Sequence, residues 1–118
     1  MNKDENQEID RSGLLDIGFP KRDLSSVKAV QITFPPGQKA PLHSHPCPVV
    51  GIITCGTCLL QVKGKPEQVI NAGESFYEPA DTPITHFDNY SDNEPMIFVA
   101  FYLKDGEQEL IELLSEEG

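Results

Sequence analysis

The feature that most constrains the fold is a rhythm. From residue 25 onward, short apolar or alternating runs are broken by turn chemistry: VKAVQITF then PPG, VVGIIT then CGT, CLLQV then KGKP, QVI then NAGE, SFYE then PADTP, and finally MIFVAFYL. Runs of this length bounded by glycine, proline and asparagine are strands and corners. Ten prolines and nine glycines fall mostly between the runs, which marks the corners. Many short strands at close spacing fold as an all-β sandwich or barrel. The last run is apolar on both faces, so protein must cover both of its sides. It lies centrally or its outer face makes a subunit contact, and the expectation is a homodimer through this strand.

A chain of 118 residues has room for one core and one domain. Residues 1–12 are polar, charged and aperiodic, too poor in apolar surface to offset the entropy of ordering, and read as a loose tail. The barrel is expected over 13–103. The end, 104–118, reads as a short acidic helix: Asp105 can cap with Gln108, and Leu110, Leu113 and Leu114 would share one face. Such a helix is marginal alone and would dock on the barrel or on a second subunit.

Nine basic against nineteen acidic residues give a formal charge of -10, which repels phosphate backbones and anionic lipid. Nucleic acid and membrane are therefore excluded as expected partners. No apolar run is long enough to span a bilayer, and no leader pattern opens the sequence, so a soluble, cytoplasmic protein is expected. Three cysteines, an odd count, agree with a reducing compartment.

The chemistry concentrates in HSHPCPVVGIITCGTC, residues 43–58. On a strand His43 and His45 project to the same side, a chelating arrangement for zinc, iron, nickel or copper, and Pro41 and Pro46 stiffen the segment that presents it. The alternative is two surface histidines on an edge strand. Cys55 and Cys58 have redox-motif spacing but span a turn rather than a helix N-terminus, so the preferred reading is two small residues flanking a hairpin loop at Gly56 and Thr57. A reversible disulfide and a structural zinc site are the sharper alternatives.

The run GQKAPLHSHPCPVVGIITCG resembles the first conserved motif of the cupin superfamily, with Gly37, His43, His45 and Gly56 at the family positions. GESFYEPADTPITHFDN resembles the second motif, matched by Gly73, Pro79 and Asn89. The resemblance covers roughly residues 25–103. It implies a double-stranded β-helix, a jelly-roll barrel with a metal near its axis.

Two departures matter. Val49 stands where the family has a glutamate, with Val50 in the alternative spacing, and Ile84 stands where the second motif has its histidine; Asp81 also replaces a motif glycine. His86 lies two residues past Ile84, on the same face of an extended strand and displaced by roughly 6–7 Å. The expected ligand set is therefore His43, His45 and His86 around one divalent transition metal, Fe, Zn, Mn or Ni. A fourth ligand could come from Cys47, Glu78 or the bound molecule. Three neutral imidazoles would leave the ion its full double charge and favour anionic ligands. The alternative is a metal-free cupin whose pocket is lined by Val49, Ile84, Phe76 and Glu78. In SFYE, Phe76 and Glu78 share one face.

Cupins include dioxygenases, isomerases, storage proteins and sensing domains. The resemblance thus implies either a metal-dependent enzyme of dioxygenase or isomerase type acting on a small anionic molecule, or a non-catalytic module that binds or senses a small molecule.

Overall fold

The runs pair into two antiparallel sheets in the computed structural model, which describes residues 8–106 and 108–115. In chain order the strands are β1 (Ser26–Phe34), β2 (His43–Ser44), β3 (Val49–Cys55), β4 (Thr57–Val62), β5 (Gln68–Asn71), β6 (Ser75–Glu78), β7 (Ile84–Asn89), β8 (Met96–Lys104) and β9 (Glu112–Leu113). One sheet has the order β1-β8-β3-β6, the other β5-β4-β7-β2-β9. Strands adjacent in space are mostly not adjacent in sequence, because the chain keeps crossing between the layers, as in a jelly roll.

Alternation then fills the space between the layers. Val49, Ile53, Cys58, Leu60, Phe76, Phe98 and Ala100 are buried, and Phe34, Phe76, Phe87 and Phe98 meet tilted or edge to face, with centroids 4.9–6.2 Å apart. Gly51 makes room for this cluster. It is the register partner of Phe76, and a Cβ there would come within 2.4 Å of the Phe76 ring and of the Val99 carbonyl. The doubly apolar strand β8 is central, paired with β1 on one side and β3 on the other, and its outer face stays partly open, Phe101 being 37% exposed.

Two expectations about local structure need correction. Cys55 and Cys58 do not flank a hairpin. At Gly56, with φ 82°, the chain leaves one sheet for the other, so Cys55 pairs with Ile97 while Cys58 pairs with Ile70 and Asn89. Both thiols are free; Cys58 is fully buried, and burial pushes its pKa up.

The C-terminal helix is also absent: no helix occurs among the described residues. The expected cap contact forms, with the Asp105 amide donating to Gln108 Oε1 at 2.8 Å. The chain then runs extended, and β9 adds to the edge of β2 in the register His43↔Leu113 and Ser44↔Glu112. Edge pairing satisfies backbone groups that β2 would otherwise leave open, while a single short helix would gain little by itself. Leu110 packs against the core, but Leu113 is 68% exposed, so the leucines do not share one face. Most of the expected tail, residues 1–7, lies outside the described residues, as do Glu107 and residues 116–118.

Candidate metal centre

Strand β2 and the residue after it present His43 and His45 inward, 4% and 3% exposed, with ring centroids 4.9 Å apart. Each ring is held from behind. His43 Nδ1 lies 2.7 Å from the Pro41 carbonyl, and His45 Nδ1 lies 2.6 Å from the Leu110 carbonyl. A carbonyl can only accept, so both Nδ1 atoms carry protons and donate them. In the neutral rings the lone pairs therefore sit on Nε2. Both Nε2 atoms face one oxygen, Glu78 Oε2, at 3.3 Å each.

Glu78 reaches this point because of sheet register. It is the cross-strand partner of Val49, whose partner on the other side is Tyr102, so Glu78, Val49 and Tyr102 form one row across the sheet. The carboxylate absent from β3 is thus supplied by the neighbouring strand, from the position directly opposite. A sequence signal for it exists: Glu78 occupies the inward parity of its strand, in step with Phe76, where an ionisable group is costly unless it has a task.

Burial works against a charged His45, yet Glu78 and the Leu110 carbonyl outweigh it and raise the His45 pKa. Burial likewise works against Glu78, and its hydrogen bond to His43 together with the nearby His45 ring outweighs that, holding its carboxyl below the usual carboxylate range. Even so, His45 Nε2 is buried without a hydrogen-bond partner, because the Glu78 oxygen 3.3 Å away lies off the hydrogen-bond direction. Two imidazole nitrogens and a carboxylate oxygen lie within 4.8 Å of one another, a donor set that could hold a metal ion. The spacing suits a shared ion, since two bonds of about 2.1 Å opening at a right to tetrahedral angle separate their donors by roughly 3.0–3.4 Å.

The structure places His86 elsewhere. Along β4 and β7 the register runs Gln61↔His86 and then Val62↔Ile84, so one extra residue, Thr85, is inserted between two steps of the partner strand. This bulge reverses the parity on which the same-face argument rests. Ile84 faces the core opposite His43, while the His86 side chain is 37% exposed and bonds Asp88 Oδ2 through Nδ1 at 3.0 Å. Asp81, which replaces a motif glycine, makes a tight turn of its own. With φ 57° it adopts the left-handed conformation that the motif glycine would, and its amide donates to the His45 carbonyl at 2.7 Å.

A cavity of about 400 Å³ opens beside the three groups, walled by Phe34, Phe87, Phe98, Ala100, Tyr102 and Ile111. Of the four residues expected to line a pocket, Glu78 does so; Val49, Phe76 and Ile84 lie in the core beneath it. Cys47 is buried but outside the convergent group. Two imidazoles and one carboxylate are a donor set that suits iron or zinc with coordination positions left open. In such a set the carboxylate would reduce a dication's charge by one, which three neutral imidazoles would not.

The cupin domain family matches residues 30–102. Among solved structures, the DMSP lyase DddQ from Ruegeria pomeroyi is similar with a TM-score of 0.67 and 24% identity, over 79% of this chain and 45% of its own. Oxalate oxidase in complex with the substrate analogue glycolate has a TM-score of 0.61 and 24% identity, over 75% and 46%. A cupin-like protein from Thermotoga maritima has a TM-score of 0.61 and 24% identity, over 77% and 68%. The chain spans less than half the length of the lyase and the oxidase, and at these identities the likeness speaks for the fold alone. No curated protein matches the chain.

Proposed function

The chain belongs to the cupin family, and from the site it carries we propose that it binds one divalent transition metal through His43, His45 and Glu78 and acts as a metal-dependent enzyme on a small anionic molecule. The observation that carries this reading is the buried His45 Nε2, which has no hydrogen-bond partner and is aimed with His43 Nε2 at a buried carboxylate. When bound, the ion would supply Lewis acidity and a seat for an anionic group. The Pro41 and Leu110 carbonyls fix the tautomer of both rings, so the lone pairs are in place before any ion arrives. Phe34, Phe87 and Phe98 give the adjoining cavity an apolar wall, beside which electrostatic interactions are less screened than in water. A small acid as the class of ligand is supported by one similar structure, an oxalate oxidase in complex with the substrate analogue glycolate.

The test is metal analysis after reconstitution with Fe, Zn, Mn or Ni. A single ion per chain is expected in the wild type and in His86→Ala, and none in His45→Ala. Failure of the wild type to take up metal, or equal uptake by His45→Ala, would sink the reading. A loaded protein that is stabilised by small acids without converting them would be a sensing module instead of an enzyme.

A further inference from the structure

Tyr102 has a position the metal set does not use. It lines the cavity, is 7% exposed, and shares an inward-facing sheet row with Glu78, with Val49 between them. Its ring stands 5.7 Å from that of His45, centroid to centroid. Among the described residues no hydrogen bond ties up its hydroxyl, which is therefore free to meet a ligand. A phenol is protonated at neutral pH, so the hydroxyl is available as a donor.

The rest of the cavity is sorted by depth. Its inner walls are Phe34, Phe87, Phe98 and Ala100, whereas Ile111 and the other polar side chains that line it, Thr33, Gln38 and Lys39, are all exposed. The inner end therefore offers one cationic seat beside one neutral donor, and everything between it and the rim is apolar. A second anionic group on a short ligand would lie against phenylalanine rings, at the cost of its hydration.

Resting on the metal reading above, we infer that Tyr102 is the hydrogen-bond donor that anchors the ligand at the metal, and that the ligand class is a small monocarboxylate with a short apolar tail. One carboxylate oxygen takes the seat at the cation and the other accepts from the Tyr102 hydroxyl. The tail packs between Phe34, Phe87 and Phe98. A cavity of about 400 Å³ holds an acid of a few carbons.

The experiment uses the Co(II)-loaded full chain and follows the visible spectrum of the ion during titration with acetate, butyrate and succinate, in the wild type and in Tyr102→Phe. Co(II) affinity should be equal in the two proteins, which also shows that the variant folds. Acetate and butyrate should each bind about 10-fold more weakly to Tyr102→Phe, the loss expected for one hydrogen bond to a charged acceptor. Butyrate should bind about 10-fold more tightly than acetate, since two further methylenes are buried, and more tightly than succinate. Equal carboxylate affinities in wild type and variant would overturn the role of Tyr102. Butyrate no tighter than acetate, or succinate tightest, would overturn the ligand class. Absence of Co(II) binding in the wild type would overturn the metal reading and this inference with it.

Discussion

If the carboxylate of this site has moved from β3 to β6, it can be moved back. Glu78→Gln keeps the side-chain volume and removes the charge. At an effective dielectric of about 20, a unit charge about 3 Å from a dication contributes on the order of 11 kcal/mol of Coulomb attraction. Loss of only a quarter of that, after protons and water compensate, is about 2.7 kcal/mol, or 100-fold in affinity. The relocation variant is Val49→Glu with Glu78→Val. Positions 49 and 78 are directly opposed in the β3–β6 register, so their Cβ atoms lie about 4.5–5.5 Å apart and a glutamate from either can reach the same point. The pair exchanges volume across one contact, which cores tolerate best. Isothermal titration with Zn(II) should show affinity down at least 100-fold in Glu78→Gln and recovered at least 10-fold in the double variant. Wild-type affinity in Glu78→Gln, or a folded double variant that binds no better than the single one, would refute the reasoning.

Three further outcomes follow from the same structure. Ending the chain after Gly106 removes β9 and the Leu110 carbonyl behind His45, so metal affinity should fall about 10–100-fold, as for other groups that orient a ligand, with the β-sheet circular dichroism retained; unchanged affinity would contradict the role given to Leu110. Gly51→Ala should cost roughly 1–3 kcal/mol in urea unfolding, because its Cβ would meet the Phe76 ring and the Val99 carbonyl at 2.4 Å; a neutral result would count against the packing described. In the metal-free protein the raised His45 contributes stability that is complete below its unfolded pKa and fades as pH rises through the folded one, while the lowered Glu78 contributes stability that is lost as pH falls through its folded value. Melting temperature should therefore peak between the two, and the peak should vanish in Glu78→Gln; a steady climb from about pH 5 to about pH 9 would be inconsistent with the pair.

What could be seen in advance was what depends on local chain geometry. The turn-punctuated runs are the strands, and His43 and His45 converge because alternate residues of an extended segment share a side. What could not be seen depends on partners distant in sequence. The parity of His86 is reversed by a bulge that exists only in its pairing with β4. Glu78 becomes the counterpart of a missing residue only once β6 is set against β3. The terminal leucines carry a helical period, but the open edge of β2 offers that segment more than a lone helix would.

His45 is fastened from three distant parts of the chain: its carbonyl accepts from Asp81, its ring donates to Leu110, and its free nitrogen looks toward Glu78. None of these is a neighbour in sequence, so a chain still being synthesised cannot form the site until residue 110 has emerged and returned to the barrel. An ion bound through these residues would be held at full strength only at the end of maturation, and a partly made or misregistered chain would hold it more weakly.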